Sequence, residues 1–389
     1  MQKNSFLLLV LVFVFGNEIK AQEKLSLSDA VKIALQNSYD IKLVENSVTI
    51  AKNNNSYGVA GALPNVTTTL NNNNTQTTIN QTFPDPSRNT TRSGVEGSTV
   101  GGNLSVSMIL FNGFRIAATK SRLESIEKQT AATLQNQLLN TSSIVMQQYY
   151  NVVRQEAFLK TIQKSIEASE QRVAIVKTRQ QVGLANQADV LQSNIDLNAL
   201  IQAKQNQLVV IDQAKADLYN SMVVPATSNY TFDESIMVDQ NIKMAEVEAK
   251  MKDHPLLQSA QQLINVNQFI EKETRAIMYP TLRANTGYNY NSNQNGAGFI
   301  LLNESYGTFF GVNLALPIYN GGASKRAYNN AKIATQSAKL QLENATLDLN
   351  TELFKTYKNY LNSIKQAPIE QDNFKISEEL LGLVMQKYQ

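Results

Sequence analysis

The sequence contains no cysteine and a single histidine, His254. Without cysteine there is no disulfide, no thiolate nucleophile, no thiolate metal site and no acylated lipoprotein cysteine. One imidazole cannot build a histidine metal cluster, and in Asp253-His254-Pro255 it reads as part of a turn rather than a lone general base. Charge of one sign is scarce as well. Against 35 Lys and Arg stand 32 Asp and Glu, a net +3 over 389 residues, which gives no field for gathering nucleic acid or an anionic surface. No basic stripe with interleaved aromatics is present, so nucleic acid is not an expected partner. No Walker loop, dinucleotide fingerprint or zincin helix occurs, and no cofactor is expected. Glu378-Glu379 fits a solvated face, and Gly101-Gly102, placed at the start of a strand, precedes no helix that could hold a phosphate. These absences leave an enzyme as a distant reading.

Long apolar runs are confined to the start of the chain. Lys3, the apolar stretch from Phe6 to Phe15 and a polar segment ending at Ala21-Gln22 follow the order of a secretory signal, with cleavage expected near Ala21. Ten apolar residues are too few to span a bilayer, which needs about 20. Downstream no run is long enough for a transmembrane helix, so any membrane insertion has to use strands closed into a barrel.

What is present is a duplicated layout. Asn37-Ser38-Tyr39-Asp40 matches Asp253-His254-Pro255-Leu256, and Ala62-Leu63-Pro64-Asn65 matches Met278-Tyr279-Pro280-Thr281 at the same displacement. Leu110-Phe111-Asn112-Gly113 matches Ile318-Tyr319-Asn320-Gly321 at a slightly shorter one, the loss falling in a polar loop. Each half reads as amphipathic helix, proline, strand, polar loop, strand, Asn-Gly turn, then a very long helix. The expected division is a signal segment 1–21, a first repeat 22–224, a linker 225–240 and a second repeat 241–389.

The strands alternate with period two. Leu104, Val106, Met108 and Leu110 form one face; Val66, Thr68 and Leu70 form a weaker partner. In the second half Tyr288 and Tyr290 continue a face begun at Leu282, and Phe310, Val312, Leu314 and Leu316 form the clearest one. These residues are the expected lipid-facing set. The segments Thr82 to Ser98 and Asn291 to Ser305 read as outward-facing loops, with Phe299-Ile300-Leu301-Leu302 an apolar patch in the second.

From Gly113 to Val182 no proline or interior glycine intervenes, so about 70 residues can run as one helix, on the order of 105 Å. Leu138, Val145, Val152, Leu159, Ile166 and Val173 recur at sevens, as do Ile333, Leu340, Leu347, Phe354 and Leu361. Such seams face neighbouring helices in coiled-coil packing. Pro368, inside the second long helix, should bend or break it.

Four amphipathic strands cannot close a barrel, because the smallest outer-membrane barrels have about eight. If they span a membrane, several copies have to share one ring. The expected fold is therefore an α+β membrane protein: long antiparallel, coiled-coil-like helices forming an α-barrel, and four strands contributed to an oligomeric β-barrel.

The helix-strand-strand-helix duplication resembles the TolC-like outer-membrane efflux proteins over essentially the whole mature chain. Its strongest local match is Val182-Gly183-Leu184 followed by Asp189-Val190, at the turn where the first long helix reverses. The resemblance implies an outer-membrane homotrimer with its helical part in the periplasm, serving as exit duct of a tripartite efflux or type I secretion system. It also implies a periplasmic adaptor (membrane fusion) protein and an inner-membrane pump as partners, beside outer-membrane lipid. Val182, Gly183, Leu184 and Asp189 become the candidate adaptor-docking tip; Asn112, Gly113, Asn320 and Gly321 match the family's strand-to-helix turns. Local chemistry gives the tip a second role, with Gly183 ending one helix and Asn186 to Asp189 capping the next. By the internal displacement, Tyr388-Gln389 corresponds to Gln180-Gln181, so the counterpart of the tip and its returning helix is expected to be missing. A non-conducting envelope-spanning scaffold or adhesin is the alternative function.

Overall fold

Pro64 and Pro280 each stand immediately before a strand, where a ring that fixes φ and removes a donor can end a helical segment without costing a ladder bond. In the computed structural model, which describes residues 23–233, 236, 238–297 and 300–388, these prolines mark equivalent points of two similar series. The expected signal segment and Phe299 lie outside the described residues. The elements are β1 (Glu23–Leu25), α1 (Leu27–Asn37), α2 (Tyr39–Asn54), β2 (Asn65–Gln81), β3 (Thr90–Phe111), α3 (Arg115–Gln181) and α4 (Gln187–Met222). They continue as β4 (Tyr230–Phe232), α5 (Met244–Met251), α6 (Pro255–Ala276), β5 (Thr281–Asn295), β6 (Leu302–Ala315) and α7 (Ala323–Tyr388).

One unit contains the chain up to Tyr39, Leu138–Gln240 and the residues from Pro368 on. Its core forms around the parallel pair β1 and β4, in which Leu25 lies beside Phe232. Ala30 and Ala34 of α1, Val145, Tyr149 and Val152 of α3, and Leu218 and Met222 of α4 bury fully or nearly so against it. Tyr149 ties the layers together: its hydroxyl donates to the Leu25 carbonyl at 2.9 Å and accepts from the Asp233 amide at 3.0 Å. Burial pushes this phenol above its ordinary pKa, which keeps the donor protonated. Farther along α3 and α4, the buried Gln207 amide donates to the Gln155 carbonyl at 3.0 Å, and Lys215 pairs with Glu156 at 2.7 Å, fixing the register of the two helices.

The other unit contains Asp40–Gln137 and Asn241–Ala367. It holds an antiparallel four-stranded sheet in the order β2-β3-β5-β6, with α2, α6 and the parts of α3 and α7 nearest the sheet in sequence. Arg122 of α3 and Glu273 of α6 form a 2.7 Å ion pair that is largely shielded from solvent, and Asn55, just after α2, donates to Glu127 of α3 at 2.6 Å. His254 caps α6, its Nδ1 accepting from the Leu256 amide at 3.2 Å with Pro255 as the first helical residue.

Several expectations need correction. The strands are longer than the alternation suggested: β3 begins at Thr90, β5 reaches Asn295 and β6 begins at Leu302, so most of the two expected loops is ladder. Apart from Val95 and Leu302 both faces of those extensions are polar, which erases the period-two signal although the backbone still pairs. Gly101-Gly102 consequently lies within β3. Leu110 falls in a bulge between Ile109 and Phe111, and Phe111 takes the position opposite Leu282. Leu316 lies one residue beyond β6, where Pro317 cannot donate to a ladder. Pro368 does not break α7. Its missing amide frees the Ile364 carbonyl on a solvent-exposed stretch, where water can replace the bond.

The two heptad seams also differ. Val145, Val152 and Val173 are buried in the first. In the second, Ile333, Leu340, Leu347 and Phe354 are all more than half exposed, while Ala331, Thr335 and Ala338 make the chain's own contacts from the opposite side of α7. Small residues allow close helix approach without a hydrophobic signal, so a search for large apolar positions passes over them.

Candidate functional site

The sheet has two chemically distinct faces, set by pairing register. On one face, rows run Val66–Val106–Thr286–Phe310, Thr68–Leu104–Tyr288–Thr308 and Leu70–Gly102–Tyr290–Tyr306. Below them Met108–Ala284–Val312 and Phe111–Leu282–Leu314 complete an apolar band. From Leu282 to Tyr290 it measures about 27 Å along the strand, or about 21 Å at a tilt of about 40°. Apolar belts of outer-membrane barrels are about 25 Å tall, so the dimension fits. Leu70, Phe310 and Leu314 are 82%, 78% and 67% exposed, too much apolar surface for a face meeting water. The band ends at Tyr290 and Tyr306, one row before Glu304, which accepts from Tyr290 Oη at 3.3 Å and Ser292 Oγ at 3.4 Å. Tyrosines at that level suit a boundary between lipid and water.

The other face is built of amides, hydroxyls and glycines. Its rows include Asn65–Ser107–Asn285–Gly311, Thr67–Ser105–Gly287–Phe309, Thr69–Asn103–Asn289–Gly307 and Asn71–Gly101–Asn291–Ser305. Cross-strand bonds link Thr67 to Ser105 at 2.8 Å, Asn103 to Asn289, and Thr99 to Asn293. Gly287 is required sterically, since a Cβ would fall on the Leu104 carbonyl and 2.8 Å from the Phe309 ring. The two edges of the sheet, β2 and β6, have no partner strand among the described residues.

The strand-to-helix turns follow the Asn-Gly signal. Gly113 and Phe114 have φ of 66° and 65°, and the Asn112 carbonyl and side chain accept from the Arg115 and Ile116 amides, both at 3.3 Å. At the second turn Gly321 and Gly322 have φ of 64° and 74°, and Asn320 holds Ser324 through a 2.7 Å side-chain bond. Two successive left-handed residues reverse the chain into the helix, with glycine carrying three of those four positions.

At the helical reversal, Gly183 has φ of 79° and donates to the Gln180 carbonyl at 3.0 Å, while Leu184 donates to that of Arg179 at 2.7 Å. This double bond pattern closes α3 as a Schellman motif. Asn186 and Asp189 then exchange side-chain and backbone bonds at 2.9 and 3.0 Å, capping α4. Capping leaves Val182 and Leu184 displayed, 65% and 70% exposed, on a backbone held from both sides.

Among the described residues no His, Asp and Glu group could hold a metal ion, and no helix is long and apolar enough to cross a membrane. What sets this chain apart is the pairing of an amphipathic four-stranded wall with two very long helices. The family model for outer membrane efflux protein matches residues 30–223 and 247–389. The chain belongs to the outer membrane efflux protein family.

Among curated members, TolC from Vibrio cholerae is 24% identical over 263 residues, covering 63% of this chain and 56% of TolC. CyaE from Bordetella pertussis is 22% identical over 246 residues, covering 62% of this chain and 51% of CyaE. The chain thus spans about half the length of these relatives. The crystal structure of the outer membrane protein VceC from Vibrio cholerae gives a TM-score of 0.74 at 16% identity, covering 93% of this chain and 85% of VceC, a likeness of fold. Within this outer-membrane efflux protein, sequence reasoning missed Phe111, because the bulge at Leu110 shifts the alternation by one residue.

Proposed function

We propose that this chain is the outer-membrane exit duct of a tripartite efflux or type I secretion system, passing small molecules or proteins outward from a periplasmic adaptor and an inner-membrane pump. The observation that carries this reading is the four-stranded sheet with an apolar band of membrane height on one face and two unpartnered edges. Unpaired backbone groups in lipid cost several kcal/mol each, so β2 of one copy has to meet β6 of the next. Leu104, Val106, Met108, Tyr288, Tyr290, Phe310, Val312 and Leu314 then meet lipid, with Leu110 and Leu316 at its margin. The exposed second seam on α7 fits the same reading, because its apolar residues have no covering neighbour among the described residues. We take the ring as a homotrimer, as the family resemblance implies, with the segments 22–224 and 241–389 as its repeated halves, joined by 225–240.

Val182, Gly183, Leu184 and Asp189 form the adaptor-docking tip in this reading, since capping prepays the order that docking requires. The natural absence of cysteine makes the test clean. Leu184→Cys, carried in the full-length protein in its native envelope, is expected to crosslink to one periplasmic adaptor. Assembly in the outer membrane with no adaptor captured would overturn the docking assignment.

A further inference from the structure

The polar face of the sheet carries almost no charge. From the row of Asn285 to that of Asn295, every residue on it is Asn, Ser, Thr, Gly or Phe309. Amides and hydroxyls both donate and accept, so this stretch favours neither sign of solute. One step toward the helices the pattern ends at Arg283, in a row with Ile109 and Asn313. Arg283 is exposed, and among the described residues no carboxylate pairs with it. The acidic residue nearest in kind, Glu304, belongs to the apolar face and is engaged by Tyr290 and Ser292. A guanidinium stays protonated across the whole physiological range. In a closed ring each copy would add one such charge at the same level, at the helix-side end of a stretch that stays neutral up to the row of Asn295 and is followed at its far end by Arg92, opposite Ile79.

Resting on the channel reading above, we propose that Arg283 sets the charge selectivity of the strand-built passage, favouring anions and the anionic groups of larger solutes at its helix-side mouth. A unit charge about 8 Å from a permeating ion biases its occupancy about twofold in water before screening, and a ring multiplies that bias.

The test is the reversal potential of the full-length protein in a planar bilayer under a roughly tenfold KCl gradient, with the dilute side below about 0.1 M so that the Debye length stays near 10 Å or more. Arg283→Gln is expected to lower the chloride-to-potassium permeability ratio at least about twofold, and Arg283→Glu to carry it into cation preference. Asn289→Asp, placed inside the neutral stretch, should shift the ratio toward cations as well and serves as the positive control for the lining. If Asn289→Asp shifts selectivity while both Arg283 variants leave it unchanged, the assignment of Arg283 is overturned and the channel reading stands. If no variant shifts it, the polar face does not line the passage, and the proposal falls with that premise. A protein that assembles but never conducts overturns the channel reading itself.

Discussion

The two strand-to-helix turns are a controlled pair of residues with opposite tolerance. At Gly113 a side chain would meet both a left-handed φ and the Tyr279 Cβ at 2.6 Å, whereas at Gly321 it would meet only the φ, with nothing within 4 Å. Gly113→Ala is therefore expected to destabilise by about 3 kcal/mol or more, and Gly321→Ala by about 1 kcal/mol. Phe114 tests the other direction. Its φ of 65° costs about 1 kcal/mol, but its ring stands edge-on to Phe111 at 5.4 Å, worth a similar amount. Phe114→Gly should change stability by less than about 1 kcal/mol. Thermal melts of the detergent-solubilised variants, followed by helical circular dichroism, check the ranking. Equal effects of the two glycine substitutions would show that the Tyr279 contact is not decisive.

At the scale of elements, the contrast between the two seams is the informative feature. The α3 seam closes against α1 and α4 around Val145 and Val152, while α7 offers Ile333, Leu347 and Phe354 to the outside. An apolar stripe on a helix whose opposite side is already packed by Ala331, Thr335 and Ala338 calls for a neighbouring helix, which a second copy supplies in the proposed ring. Leu347→Glu combined with Phe354→Glu is expected to abolish oligomer formation while preserving the helix content of the chain. Sedimentation together with circular dichroism separates these effects, and an intact oligomer in the double variant would exclude this stripe from the interface. Sequence periodicity located both seams. It could not distinguish them, because a heptad reports that a helix has a partner without saying in which chain the partner resides.

For the whole molecule, the proposed ring makes closure the determinant of stability. Each copy brings four strands to the sheet and leaves the edges of β2 and β6 open. Native mass spectrometry in detergent is expected to find three copies per particle and no stable lone chain; a predominant dimer or tetramer would replace the trimer.

Much of this architecture follows from the residues alone. The prolines before β2 and β5, the Asn-Gly turns, the Gly183 stop and the Asn186 to Asp189 cap act locally, through φ restriction and single hydrogen bonds, so the chain specifies them wherever it is placed. The long helices and the apolar strand face are likewise encoded by periodicity. The bulge at Leu110, the ladders within the expected loops, the unbroken course of α7 through Pro368 and the row that isolates Arg283 were decided only by tertiary structure. Those features depend on which strand pairs with which and on where water can reach a freed carbonyl. Both are relations between distant segments, which neither composition nor local pattern contains.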